Sequence, residues 1–233
     1  MDTSFYTAVR GAMTQQTHMD ILSNNIANIN TSGYKTKDAS FQDLIYYGLR
    51  GLDEDMQAGT GTIVRQTDTD FTGAALQRTG RDFDFAIQGN GFFMIQNPAD
   101  GDITYTRSGS FSLSERADGM YLADFQGNLV LDVQQNPIRY ADGELTALPG
   151  MFDFANTNGM LSVGDNYFVP VDKNGPVMQA GNATLTQGSL ENSNVDLADQ
   201  MSKVIISQRS YSYMLRMVQT ADEVEQTINE LRG

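Results

Sequence analysis

The sequence predicts an α+β protein in which helices from the two chain ends flank a mostly antiparallel β domain. Three observations predict it. Residues 1–31 and 191–233 hold one internal glycine, Gly11, and no proline, whereas 20 of the 22 Gly and all five Pro lie between Ser32 and Leu190. Apolar residues in both ends recur at spacings of three and four, the helical period. In the middle they alternate or cluster in short runs between turns, as strands do. This pattern divides the chain into a discontinuous helical coiled-coil assembly domain (1–31 plus 191–233), a connecting segment with a short helix and loops (32–82) and a β domain (83–190).

In the first helix Phe5, Ala8, Val9, Ala12, Met19, Leu22, Ile26 and Ile29 lie on one stripe, interrupted by Gln15 and Gln16. Asp2 or Thr3 can cap its start. Asn28 to Gly33 offers residues that tolerate the left-handed conformation, so the helix is expected to stop there. In the middle, candidate strands are Phe83–Gln88, Gly91–Gln96, Ile103–Arg107, Ser110–Leu113, Met120–Ala123, Leu129–Val133, Pro137–Tyr140, Met160–Val163, Tyr167–Val171 and Ala183–Gln187. Turn signals such as Asp118-Gly119, Gly127-Asn128, Asp142-Gly143 and Asn174-Gly175 separate them. Phe41–Leu49 is open to a short helix or an apolar clip, and Gly48–Gly61 reads as a loop.

The last helix begins near Ser193-Asn194-Val195-Asp196, a serine three residues before an acid, which is a capping-box pattern. Leu197, Met201, Val204, Tyr211, Leu215 and Val218 then follow a 4,3 heptad with Gln208 in a polar slot. From Met214 a second row runs through Met217, Ala221, Val224, Ile228 and Leu231. A seam that moves around the helix implies more than one partner surface or a local change of supercoil. The acids Asp222, Glu223, Glu225 and Glu230 have the wrong sign for a helix C-terminus. Neighbours are expected to supply the missing stability.

Formal charge is −14, and the middle alone carries −10. Such a field repels nucleic acid and anionic membranes, so neither is an expected partner. Without cysteine there is no disulfide, thiolate zinc site or thiol nucleophile. The start has no basic cluster followed by an apolar core, so no cleaved secretory signal is expected. No stretch approaches the roughly 20 apolar residues of a membrane helix. Gly89-x-Gly91 lacks the third glycine and the strand–helix context of a nucleotide loop. His18, the single histidine, has only Asp20 as a nearby carboxylate and is a poor metal ligand or general base. Asp172-Lys173-Asn174-Gly175 echoes a calcium loop without its later ligands. No catalytic residue, metal or cofactor is expected.

Five blocks together resemble the bacterial flagellar rod and hook proteins. The first is Leu22-Ser23-Asn24-Asn25-Ile26-Ala27-Asn28-Ile29-Asn30-Thr31-Ser32-Gly33-Tyr34-Lys35. The second runs from Phe85 to Phe93 and the third from Tyr105 to Phe111. The last two are Ser193-Asn194-Val195-Asp196-Leu197 and the helix segments Gln208–Tyr211 and Gln219–Glu223. They occur in the family's order and span the chain, and the chain is most similar to the rod proteins, the distal type above the proximal. Asn192 departs from the pattern, where a glycine is common. The resemblance implies a basal-body subunit whose terminal helices pair as a coiled coil lining an axial tube, with the β domain outward. It also implies a helical homo-oligomer, neighbouring rod and hook proteins as partners, and delivery outside the cytoplasm by the flagellar type III export apparatus without a cleaved signal.

Helix packing and register are then expected to rest on Phe5, Val9, Met19, Leu22, Asn24, Asn25, Ile26, Asn28, Asn30 and Gly33. At the other end they rest on Ser193, Asn194, Val195, Leu197, Met201, Val204, Gln208, Tyr211, Leu215, Val218, Ile228 and Leu231. The asparagines either bond neighbouring subunits and set register or cap the helix locally. Gln15, Gln16 and Gln208 either fix register within seams or face solvent. A structural rod subunit that transmits torque is the leading expectation. A secreted cell-wall hydrolase, with a carboxylate or metal site in 82–190, and a coiled-coil adhesin are the alternatives.

Overall fold

The computed structural model describes residues 3–44, 46–48 and 57–232, so Asp2, one candidate cap, lies outside the described residues. Its fold is α+β, with a helix at each end and a mostly antiparallel β domain between them. Two compact units are present. One comprises Met1–Ala27, Lys37–Asp68 and Asp196–Gly233, the other Asn28–Thr36 and Thr69–Val195.

The first unit holds helices α1 (Thr3–Ala27) and α2 (Leu197–Arg232), which lie against each other. At 1.5 Å per residue the 36 residues of α2 extend about 54 Å. The N-cap of α2 is Asp196, not Ser193. Asp196 Oδ1 accepts hydrogen bonds from the N–H groups of Ala198 at 2.9 Å and Asp199 at 3.3 Å. Ser193 Oγ instead accepts the Val195 N–H at 3.3 Å, and burial of Val195 holds the segment short of the helix. Beside the helices, strand Lys37–Asp43 pairs with Thr62–Thr69, and Tyr46–Gly48 pairs antiparallel with Gln57–Gly59. Over Phe41–Leu49 the described residues other than Leu44 are therefore strand rather than helix, while Ile45 and Leu49 lie outside them. Within Gly48–Gly61, residues 49–56 also lie outside the described residues, and Gln57–Gly59 is strand.

The second unit is built around strand Phe92–Gln96, which pairs antiparallel with Ile103–Thr106, Leu129–Val130 and Met151–Phe154. Its side chains alternate between two cores. Phe93 and Ile95 join Phe85, Ile87, Phe111, Leu122, Val130 and Ile138 on one face. Phe92 and Met94 join Tyr105, Leu131, Phe152, Phe154 and Phe168 on the other. A strand covered on both sides reads as an unbroken apolar run, which is what residues 92–95 are. The sheet continues through Gly119–Ala123, Arg139–Ala141 and Glu144–Leu145 in one direction and Tyr167–Val169 and Leu161–Gly164 in the other. Two further ladders close the unit: Phe85–Gln88 with Thr184–Gln187, and Leu76–Arg78 with Ser189–Glu191.

Each of the ten strands expected from the sequence overlaps one observed, with ends displaced by a few residues. The hairpin joining Leu161–Gly164 to Tyr167–Val169 turns on Asp165 and Asn166, both at positive φ (47° and 62°), the two-residue turn that matches strand twist.

Candidate functional site

In the helical unit, the pairing of α1 with α2 rests on small and polar side chains. Ala8, Gly11, Ala12, Leu22 and Asn25 of α1 are buried. A Cβ at Gly11 would stand 3.1 Å from the Met214 Sδ, so the glycine lets α2 approach closely. On α2 the covered stripe is Gln200, Val204, Ser207, Tyr211, Met214, Val218 and Ala221, all buried or half-buried and spaced 4,3,4,3,4,3. It shares Val204, Tyr211 and Val218 with the heptad read from the sequence. Leu197, Met201 and Leu215, the other apolar members of that heptad, are exposed, as is Gln208. The covered seam is thus the more polar of two overlapping candidate seams, and the apolar residues outside it are left open.

A polar junction joins three elements of this unit. Asn25, fully buried, acts like a strand partner for Lys37. Its Oδ1 accepts the Lys37 N–H at 3.0 Å, and its Nδ2 donates to the Lys37 carbonyl at 2.8 Å and to Gln200 Oε1 at 3.0 Å. Seven residues earlier in α1 and seven later in α2, His18 Nδ1 lies 2.9 Å from Ser207 Oγ, and the His18 ring meets Phe41 edge-on at 5.1 Å. Lys203 bridges Asp199 at 2.8 Å and Asp38 at 3.6 Å. Burial and the Lys203 ammonium hold the His18 imidazole below its ordinary range, and Asp38 opposes them. Thr14 Oγ1 donates to the Arg10 and Thr62 carbonyls at 2.9 and 2.8 Å.

In the β body the segments nearest the two helices run side by side. Gly33 N–H donates to the Glu191 carbonyl at 2.8 Å, and Asn194 N–H to the Tyr34 carbonyl at 3.4 Å. Gly33 has φ 70°, and a Cβ there would lie 2.5 Å from the Ser108 nitrogen, so both the turn and the packing demand glycine. Asn194 Oδ1 accepts from the Thr36 N–H at 2.7 Å and the Thr36 hydroxyl at 2.8 Å, and its Nδ2 donates to the Asp70 carbonyl at 2.8 Å. Beneath lies a fully buried ion cluster. Glu191 Oε1 takes the Lys35 ammonium at 2.8 Å and the Ala74 N–H at 2.9 Å, and its Oε2 takes Arg107 at 3.3 Å. Lys35 also donates to the Thr72 carbonyl at 2.7 Å, and Arg107 to the Gly89 carbonyl at 2.8 Å. Burial pushes Lys35 and Arg107 below their ordinary values, and Glu191 pulls both back.

The remaining residues singled out by sequence divide between the two units. In the helical unit Val9, Met19 and Ile26 are half-buried; Phe5, Asn24, Ile228 and Leu231 are exposed. In the β body Asn28 is half-buried and Asn30 exposed, and Asn28 Oδ1 accepts the Thr31 hydroxyl at 3.1 Å. Asn25 follows neither reading of the asparagines, because it bonds a strand and a helix of its own chain. Sequence reasoning assigned no role to Lys35, Arg107, Glu191, Gln200 or Ser207. The available signal was two isolated bases, Lys35 and Arg107, inside blocks of small and aromatic residues. Their counter-ion stands 156 positions from Lys35, beyond the reach of any local pattern.

No helix among the described residues is long and apolar enough to cross a membrane, and no group of three or more metal-ligating side chains is assembled among them. Residues 5–35 match the family model described as flagella basal body rod protein, and residues 186–231 that described as flagellar basal body rod FlgEFG protein C-terminal. The flagellar basal-body rod protein FlgG of Buchnera aphidicola is 30% identical, over 98% of this chain and 99% of the relative. FlgG of Bacillus subtilis is also 30% identical, over 98% of each. The rod protein FlgF of Mesorhizobium japonicum is 30% identical, over 99% of this chain and 98% of the relative.

Proposed function

The chain belongs to the flagellar basal-body rod protein family, and on that premise we propose how it serves there. It is a structural subunit of the rod and resides in the flagellar basal body. We read its α1–α2 pair as the assembly element: a coiled coil whose open apolar side is completed by neighbouring copies. The carrying observation is the apolar surface of α2 left uncovered, where Leu197, Met201, Ile205 and Leu215 in its first half and Met217, Val224, Ile228 and Leu231 in its second are all exposed. Heterologous contacts that repeat without closing generate a helical filament. In this reading the filament is an axial tube, and interdigitated helices give it the stiffness to pass motor torque to the hook.

The proposed partners are further copies of the chain and neighbouring rod and hook proteins, and the proposed route outward is the flagellar type III export apparatus. Within the family we place the chain with the distal rod proteins, the FlgG type. The helix residues singled out by sequence are proposed to carry packing between subunits where they are exposed and packing within the subunit where they are buried. The test is truncation. Chains lacking 1–31 or 195–233 are expected to keep the β body, seen by circular dichroism, and to form no filaments in the electron microscope. Filaments from either truncation would overturn the reading. In a dilute monomer, α1 and α2 amides should exchange with solvent faster than those of strand Phe92–Gln96; equal protection counts against it.

A further inference from the structure

We propose that Glu191 is the closing ion of the β body: until the segment just before α2 docks, Lys35 and Arg107 have no buried counter-ion, and the body stays open. The side chains of Lys35, Arg107 and Glu191 are at most 1% exposed. Apart from Glu191, the hydrogen-bond partners of both cations among the described residues are backbone carbonyls: Thr72 for Lys35, and Ile87 and Gly89 for Arg107. Carbonyl dipoles orient a cation without cancelling its charge. Asp70 and Asp153 act on the cluster only at a distance, and Asp70 is exposed. Two buried charges without a counter-ion are strongly unfavourable, and one carboxylate relieves both.

The same short segment brings more than the charge. Ser189–Glu191 is the strand partner of Leu76–Arg78, and Asn194 ties Thr36 to the carbonyls of Asp70 and Thr72. Docking of residues 189–194 therefore supplies a ladder, an amide bridge and a counter-ion in one step. Lys35 and Arg107 precede Glu191 in a chain made N-terminus first, so the body cannot shut ahead of its C-terminal segment.

The test uses the full chain, followed by tyrosine near-ultraviolet dichroism in urea-jump experiments. Glu191→Gln should speed unfolding on the order of 100-fold while leaving refolding within about threefold, because an ion that closes last is absent from the transition state. Adding Lys35→Met should recover about tenfold or more, since one cation then leaves with one anion. Refolding slowed as much as unfolding is accelerated would show the ion acting early and would overturn the proposal. So would a Lys35→Met/Glu191→Gln chain no more stable than Glu191→Gln alone. Should Glu191→Gln fail to fold at all, the double variant decides: folded, it supports the closing ion; unfolded, it removes it.

Discussion

The β body and the helical unit treat burial in opposite ways. In the body, Phe85, Phe93, Ile95 and Leu122 are completely shielded, and the buried charges Lys35, Arg107 and Glu191 are paired with one another. In the helical unit the fully shielded residues are, apart from Leu22, small or polar, among them Gly11, Asn25, Gln200 and Ser207, while Met201, Ile205, Met217 and Ile228 are exposed. A soluble monomer rarely leaves so much apolar surface on one element unless something covers it. Stability of the body therefore rests on one set of residues, and the assembly proposed above on another. The body satisfies its own apolar surface, and the helices satisfy only enough of theirs to pair.

Four perturbations test that contrast. Phe93→Ala empties the centre of the body and should cost about 3–5 kcal/mol in urea denaturation. Asn25→Ala strips partners from the Lys37 backbone and the Gln200 amide and should cost about 2–3 kcal/mol, read from the loss of helical dichroism. If it proves harmless, the polar junction is not what holds the helices.

The third perturbation is pH. The folded His18 ring has a lowered affinity for protons relative to the ordinary value of 6.5. As pH falls through that value, the unfolded chain takes up the proton first, so stability is full above it and declines below it. The decline levels off once the folded ring is protonated as well. The effect should be smaller than that of Asn25→Ala, and His18→Gln should flatten the pH dependence of thermal melting between pH 7 and 5. The smallest effect on the monomer is expected from Ile228→Ser, within about 0.5 kcal/mol, because the side chain is exposed. The same variant should lose filament formation; a monomer destabilised by more than about 1 kcal/mol would mean that Ile228 packs within its own chain.

Much of this architecture was legible because period alone reveals it. Both helices announce themselves by spacing, and the strands around Phe92–Gln96 by short apolar runs between glycine turns. The strand Thr62–Thr69 was not legible. Its sequence, Thr-Ile-Val-Arg-Gln-Thr-Asp-Thr, is mostly exposed and shows no alternation, so its strand character comes from pairing with Lys37–Asp43. The α2 seam was half legible, since hydrophobicity points to Leu197, Met201 and Leu215. α1, however, presents glycine, alanine and amides, which match the neighbouring stripe through Gln200 and Ser207. The sequence blocks around Gly33, Arg107 and Asn194 could be seen as blocks but not as one cluster. Their convergence is a property of strand topology, not of spacing.

The main part of the β body begins at Thr69 and ends at Val195, and its two ends meet, since Asn194 Nδ2 donates to the Asp70 and Thr72 carbonyls. An insert whose two ends meet can be exchanged as a cassette. A different domain with adjacent termini, spliced between Asp70 and Asn194, would leave in place the strands Lys37–Asp43 and Thr62–Thr69 that bond helix α1. Subunits of different girth could thus share one pair of terminal helices, with the variety confined to the part of the chain between them.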